Sequence, residues 1–333
     1  MSEMLIGTKQ QQNGMGFSDE AFKKALEFKP RPSDCFVITP PKTGTTLLQF
    51  ACHLLRSAVE SSNNQGQEDL EYWSKKACDF EDLYQVSPWA MMAWDIGVDI
   101  TDKNYEQKCP PDDTTNQIFY PVRVFKSHQR LAAINPGAKY IVTVRDPKSL
   151  LVSRYNFLKN KKVPFVLKYE TVSEFAIFHQ GCLTFPEGGS LWEYYRDYLT
   201  CMKYPNVIVV VFEDLIKDIR GHLPALSRFM GLDVSKEYLD KIATLCSKEN
   251  MINNVTKFDE SWTSWKLKAM KRFKDADNFH IAARVTSGAG SSILDQKAIA
   301  FLDECWKENM GNPTGFQSYE EFAQIIRKEY STR

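Results

Sequence analysis

A lysine, a glycine and three threonines stand together where a strand pattern gives way to a helix pattern. The loop reads Lys42-Thr43-Gly44-Thr45-Thr46. An apolar run, residues 35–38, precedes it, and a helical pattern runs from 46 to 56. A loop in this position directs backbone N–H groups and the positive end of a helix dipole at one point. The lysine adds charge and the glycine permits close approach of a ligand, so the pattern predicts an anion site.

The order of residues separates this loop from the P-loop of nucleoside triphosphate-binding proteins. That P-loop places its lysine after the last glycine, whereas Lys42 precedes Gly44 here. The sequence also lacks a recognisable carboxylate pattern for Mg²⁺. Both features count against a nucleotide-dependent kinase.

A second group is Lys126-Ser127-His128, which ends a strand pattern over residues 122–126. Imidazole titrates near neutral pH, so His128 suits a general base. A single histidine is more often structural, and its position alone leaves both interpretations open.

A third group begins with Arg145, which closes the strand pattern 139–144. Asp146 and Pro147 suit the N-cap and first turn of the next helix, and Ser153 follows about two turns later. A guanidinium fork and a hydroxyl suit a phosphate monoester. The alternative is a capped surface helix with an exposed arginine.

These groups imply an α/β fold whose elements bring them together. Strand patterns over 35–38, 122–126, 139–144 and 206–212 alternate with helical patterns. The alternation predicts a central, mostly parallel β-sheet flanked by helices on both faces. Ligands of such sheets bind at the carboxyl ends of the strands, where each candidate group lies.

Composition narrows the class of protein. The 333 residues include 42 basic and 42 acidic side chains, so the formal charge is zero and no nucleic-acid partner is expected. No apolar run has transmembrane length, and no signal-peptide core is seen. Eight scattered cysteines show no metal-binding spacing. We expect a disordered tail over 1–17 and one domain over 18–333, in a cytoplasmic protein without a metal or stable membrane insertion.

Taken in order, the groups resemble the cytosolic sulfotransferases over most of the chain. The family's phosphosulfate loop, Y-P-K-[ST]-G-T-T-W, matches residues 40–47, and its K-[ST]-H matches 126–128. The segment R-[ND]-P-K-x(4)-S matches 145–153, and F-Y-E-D-[LM] matches 211–215. Four blocks in the family's order make a specific match.

The resemblance implies transfer of a sulfuryl group from 3′-phosphoadenosine 5′-phosphosulfate (PAPS) to a hydroxyl or amine, leaving PAP. It makes His128 the general base, with Lys42 on the leaving phosphate and Lys126 on the sulfuryl group. The other implied donor-binding residues are Thr43, Gly44, Thr45 and Thr46 for the 5′-phosphate, and Arg145 and Ser153 for the 3′-phosphate.

Several family positions differ, which predicts a divergent member. Leu47 replaces an adenine-stacking tryptophan, and Ser247 is what remains of the T-S-F adenine segment. Phe212 replaces a tyrosine. The C-terminal R-K-G-x-x-G-D-W segment is reduced to residues 284–290, where Arg284 and Gly288 are the expected phosphate contacts.

The acceptor is less defined. Aromatic residues predict an apolar or ring-containing small molecule, and the expected wall residues are Phe80, Trp89 and Phe157. Residues 262–274 combine tryptophans with lysines. The resemblance implies a lid over the donor and acceptor here, and the alternative is an amphipathic helix with a solvated basic face.

Two other functions remain open from the sequence. One is the small-molecule kinase, and the other is a PAP-binding protein that has lost catalysis. The family's dimerisation motif is not recognisable, so the sequence leaves the oligomeric state open.

Overall fold

The computed structural model describes residues 17–63, 69–109, 118–120, 122–178, 183–185, 188–272 and 293–332. Its α-helices are α1 Asp19–Glu27, α2 Thr45–Asn63, α3 Leu70–Ala77, α4 Leu83–Val86, α5 Pro147–Asn160, α6 Val172–Phe178, α7 Leu191–Cys201, α8 Phe212–Lys217, α9 Ile219–Met230, α10 Lys236–Leu245, α11 Lys248–Asn253, α12 Ser261–Met270, α13 Gln296–Trp306, α14 Asn312–Thr314 and α15 Tyr319–Tyr330. Shorter 3₁₀ turns are Leu131–Ala133, Val166–Lys168 and Val255–Lys257, and Lys307–Gly311 is a π-helical turn.

The strands are β1 Cys35–Ile38, β2 Lys108–Cys109, β3 Ile118–Phe119, β4 Val124–Ser127, β5 Lys139–Val144, β6 Thr184–Phe185, β7 Gly189–Ser190 and β8 Val207–Val211. Four of them form one parallel sheet in the order β4-β1-β5-β8. The prediction of a parallel α/β sheet is confirmed. The remaining strands form two short antiparallel pairs.

Both faces of the sheet are buried, because neighbouring residues along each strand enter different cores. On β1, Phe36 and Ile38 join the core that contains α5, α6 and α7, whereas Cys35 and Val37 join the core that contains α2 and α9. A strand buried on both faces reads as a continuous apolar run. The run of valines and isoleucine in β8 has this origin.

Two helices begin at the capping residues that the sequence predicts. The Asp146 carboxylate accepts from the Lys148 and Ser149 amides at 3.3 and 3.1 Å, and Pro147 begins α5, as expected. Ser18 caps α1 by accepting from the Ala21 amide. Each cap satisfies amides that a helix start leaves without partners.

The domain limits and the cytoplasmic location stay predictions. Residues 1–16 of the expected tail lie outside the described residues. Phe17 packs edge-to-face on Trp89, with ring centroids 4.8 Å apart. Within the described ranges, no helix has the length and apolarity needed to cross a membrane.

Candidate active site

The anion loop predicted from the sequence lies between β1 and α2, at the carboxyl end of the sheet. Its backbone turns through positive φ at Lys42 (72°) and Gly44 (98°). The buried Thr43 hydroxyl donates to the Pro40 carbonyl at 2.7 Å and accepts from the Thr143 hydroxyl at 2.8 Å. These bonds tie the loop to itself and to β5, so its shape is fixed by buried contacts.

Gly44 is required by both its backbone angle and its neighbour. A Cβ at this position would lie 2.7 Å from Cδ2 of Phe212, the first residue of α8. Real Cβ atoms do not approach a ring that closely. Phe212 thus fills the space that a side chain at position 44 would need, and holds the loop backbone against the sheet edge.

Arg145 connects the loop to the end of β5. Its guanidinium carbon lies 4.4 Å from the centre of the Phe212 ring, and Nη1 donates to the Lys42 carbonyl at 2.5 Å. Burial lowers the pKa of Arg145 from its ordinary value, while Glu213 opposes the shift. The buried Nε has no hydrogen-bond acceptor among the described residues. Arg145 therefore braces the loop and retains a buried donor for a further group.

His128 follows β4 and reaches across to the residue that follows β1. The strands pair Ile38 with Ser127, which places Thr39 beside His128. Nδ1 of His128 lies 2.7 Å from the Thr39 carbonyl oxygen. A carbonyl only accepts, so Nδ1 carries the hydrogen and the lone pair of the neutral ring lies on Nε2. The Tyr194 hydroxyl donates to the backbone carbonyl oxygen of His128.

Lys126 shares an aromatic platform with His128. Nζ of Lys126 lies 3.9 Å from the Trp89 ring centre, while the His128 ring meets Trp89 edge-on at 5.1 Å. Nζ also donates to the Tyr84 hydroxyl at 2.5 Å, and that hydroxyl donates to Oε1 of Glu260 at 2.9 Å. Sequence reasoning missed Tyr84 and Glu260, because nothing in their local patterns indicates a contact with Lys126.

A second ammonium group shares the Phe157 ring with Lys42. Nζ of Lys42 lies 4.2 Å from the centre of the Phe157 ring on α5, and Nζ of Lys161 lies 4.8 Å from the same centre. Lys161 was not predicted from the sequence. The Phe157 ring therefore positions the Lys42 ammonium group beside the anion loop.

The remaining donor-binding candidates occupy separate elements. Thr45 and Thr46 open α2, whose early amides lack acceptors within the helix. Ser153 lies half-buried on α5. Ser247 caps α11 by accepting from the Asn250 amide at 3.2 Å, so its hydroxyl has a structural role. Arg284 and Gly288 lie outside the described residues.

The expected acceptor wall is divided. Trp89 and Phe157 lie beside the site lysines, as described above. Phe80 packs instead in the core on α2, edge-on to Phe50 and His53 at 6.2 and 5.6 Å. Its role at the acceptor stays a prediction. Trp89 belongs to a small apolar cluster whose other buried members are Tyr84, Met91, Met92, Ile96 and Leu267.

A sulfotransferase domain model matches residues 32–313 of this chain. A 3-alpha-hydroxysteroid sulfotransferase of Cavia porcellus is 25% identical over 313 residues, which is 92% of this chain and 94% of that protein. A 3-beta-hydroxysteroid sulfotransferase of the same species is 26% identical over 247 residues, or 72% and 75% of the two chains.

Solved structures share the fold at lower identity. Mouse sulfotransferase SULT7A1, complexed with PAP, has a TM-score of 0.53 and 17% identity, covering 96% of this chain and 98% of that one. Retinol dehydratase, complexed with androsterone and the inactive cofactor PAP, has a TM-score of 0.52 and 16% identity, covering 91% and 95%. With the family model matching most of its length, the chain belongs to the sulfotransferase domain family and is a PAPS-dependent sulfotransferase.

Proposed function

We propose that this enzyme transfers the sulfuryl group of PAPS to the hydroxyl of a ring-containing, steroid-like acceptor, with His128 as the general base. The observation that supports the base assignment is the 2.7 Å contact between Nδ1 of His128 and the Thr39 carbonyl. This bond fixes the tautomer and orients the ring. It leaves Nε2 as the basic nitrogen at the carboxyl edge of the sheet.

The described residues fit the donor. A buried Arg145 Nε without an acceptor among those residues, and a loop at a helix start whose shape is fixed by buried hydrogen bonds, are what a tightly held phosphate requires. We assign the 5′-phosphate to the loop amides of 43–46 and Lys42, and the 3′-phosphate to Arg145 and Ser153. PAPS, when bound, supplies the activated sulfuryl group.

The chain's own residues then move one proton and balance charge. Nε2 of His128 takes the proton of the acceptor hydroxyl, and the Thr39 carbonyl stabilises the imidazolium through Nδ1–H. Lys126 is buried, and its ammonium group offsets negative charge that develops on the sulfuryl oxygens. Such charges act strongly because water is excluded from the site.

The acceptor class rests on the wall and on the relatives. The Trp89 ring meets His128 edge-on, and Tyr84 and Met91 pack with Trp89 in one apolar cluster, so the base adjoins an aromatic, apolar part of the protein that suits a fused-ring skeleton. The curated relatives are named for 3α- and 3β-hydroxysteroids. Both observations favour an alicyclic hydroxyl over a small phenol or amine.

The test is an acceptor panel with sulfur-labelled PAPS. We expect kcat/KM to be highest for hydroxysteroids, lower for simple phenols and arylamines, and to fall by at least about 100-fold in His128→Ala. His222→Ala on α9 is the matched control and should keep full turnover, since His222 contacts Tyr330 away from the loop.

Four results would contradict the proposal in different ways. Full turnover by His128→Ala removes the base assignment. Preference for phenols or amines removes the acceptor class. PAP binding without transfer to any acceptor indicates a PAP-binding protein that has lost catalysis, and thermal stabilisation by ATP–Mg²⁺ alone indicates a kinase.

A further inference from the structure

We propose that Tyr84 and Glu260 are positioning residues for Lys126, holding its ammonium group over Trp89 and joining that position to the start of α12. This inference rests on the proposed role of Lys126 at the sulfuryl group. It adds two residues, from elements distant in sequence, that touch neither His128 nor the anion loop in the hydrogen bonds described above.

The direction of each hydrogen bond follows from the groups at the two ends. An ammonium only donates and an ionised carboxylate only accepts. The Tyr84 hydroxyl, 2.5 Å from Nζ of Lys126 and 2.9 Å from Oε1 of Glu260, must therefore accept from the lysine and donate to the glutamate. The negative charge of Glu260 makes the tyrosine oxygen a better acceptor, which strengthens its bond to Lys126.

Glu260 adopts an unusual backbone conformation to reach this position. It has a φ of 68° although it is not glycine, and it stands at the N-cap of α12 without a capping bond from its side chain. The side chain points inward, and only 4% of the residue is exposed. A carboxylate is rarely buried unless it is paired. Its partners here are Tyr84 and Lys161, whose Nζ lies 3.9 Å from Oε2.

Helices α4 and α12, which position Tyr84 and Glu260, are also hydrogen-bonded to each other. Asp82 caps α4, the helix that contains Tyr84, and its Oδ2 accepts from the Thr263 hydroxyl of α12 at 2.9 Å. A shift of the start of α12 therefore breaks these bonds or moves Tyr84 with it. This geometry couples the position of Lys126 to the docking of α12, which lies in the region where the family resemblance implies a lid.

Placement of the lysine matters because Trp89 orients both catalytic candidates. The Lys126 ammonium lies over the ring face and His128 meets its edge. Loss of the Tyr84 hydroxyl leaves the ring contacts of Lys126 in place and removes the bond that sets its direction. An ammonium group that is displaced from the sulfuryl oxygens stabilises the transition state less. Binding of PAP should be unaffected, because PAP has no sulfuryl group.

The experiment compares Tyr84→Phe and Glu260→Gln in the full chain. We expect Tyr84→Phe to lower kcat by about 10- to 100-fold, and Glu260→Gln by about 3- to 10-fold because an amide oxygen still accepts. The Kd of PAP should stay within about twofold in both. Glu260→Gln should add little in the Tyr84→Phe background, since both act through one hydroxyl.

Tyr198→Phe is the matched control, because its buried hydroxyl has no partner among the described residues, and it should keep wild-type kcat. Lys126→Ala separates the positioning role of Tyr84 and Glu260 from the proposed role of Lys126 itself. If Lys126→Ala loses turnover while Tyr84→Phe keeps kcat within about twofold, the positioning role is wrong and the proposed function stands. If Lys126→Ala keeps full turnover, the role of Lys126 itself is wrong. A weaker PAP affinity in Tyr84→Phe, in step with kcat, indicates general disruption and also overturns the inference.

Discussion

Replacing Gly44 with alanine tests how the anion loop is held. Two costs follow from the structure. The first is the left-handed backbone, with φ of 98°, which costs a residue with a Cβ about 1–2 kcal/mol. The second is the clash with Phe212, since the new Cβ would lie 2.7 and 2.9 Å from two ring atoms. Overpacking of this kind costs about 1–3 kcal/mol.

We therefore expect Gly44→Ala to lower the free energy of unfolding by about 2–5 kcal/mol, which leaves most proteins of this size folded. The ring must move to admit the methyl group, and Arg145 stacks on that ring at 4.4 Å. The Kd of PAP should therefore rise by about 10-fold or more, equivalent to about 1.4 kcal/mol. Chemical denaturation and isothermal titration calorimetry measure the two effects.

Gly315→Ala is the control, because Gly315 has φ of 86° and a Cβ added there would meet no atom within 4 Å. It incurs the backbone cost of about 1–2 kcal/mol without the clash, and should leave PAP affinity unchanged. If Gly44→Ala matches Gly315→Ala in both stability and PAP affinity, the Phe212 contact does not hold the loop and this reasoning is refuted.

Three further predictions concern the buried polar side chains of Arg145, His53 and Tyr198. Arg145→Ala should raise the Kd of PAP by about 10- to 100-fold and that of adenosine 5′-monophosphate by much less, because the monophosphate lacks the 3′-phosphate and feels only the loss of the bond to the Lys42 carbonyl. Calorimetry measures both, and equal losses would contradict the 3′-phosphate assignment. Burial, aided by Arg56, lowers the pKa of His53 from 6.5 to about 3. The unfolded chain therefore binds an extra proton between these pH values, and stability falls as the pH drops below 6.5. His53→Gln should reduce the stability lost between about pH 7 and pH 5 by about 2 kcal/mol in denaturant titrations, and an unchanged loss would contradict a buried neutral imidazole. Tyr198→Phe should keep or raise the melting temperature, because the Tyr198 hydroxyl is buried without a partner among the described residues; a clear decrease would show that it has one.

Local chemistry made much of the fold predictable. Asp146 and Pro147 mark the start of α5 because capping and a fixed φ act within a few residues. The strands of the parallel sheet are apolar over most of their length because that sheet is buried on both faces. In a parallel sheet, the residues that follow β1, β4 and β5 lie at the same edge. The sequence therefore predicts that Lys42, His128 and Arg145 share this edge.

Contacts between distant segments were not predictable in the same way. Tyr84 and Glu260 meet Lys126 through three separate elements, and no periodicity indicates that meeting. Phe212 was noted in the sequence only for a missing hydroxyl, whereas its ring supports Gly44 and Arg145. The aromatic pattern groups Phe80 with Trp89; Phe80 packs on α2, and its role at the acceptor stays a prediction. Composition identifies aromatic residues, but only tertiary packing assigns them to a site or a core.

The most direct test of the central claim is a single-turnover reaction between enzyme-bound labelled PAPS and a 3β-hydroxysteroid. We expect one sulfated steroid for each PAP formed, with the rate reduced by at least about 100-fold in His128→Ala at unchanged PAP affinity. Wild-type transfer by His128→Ala, or PAP release without a sulfated steroid, would contradict it.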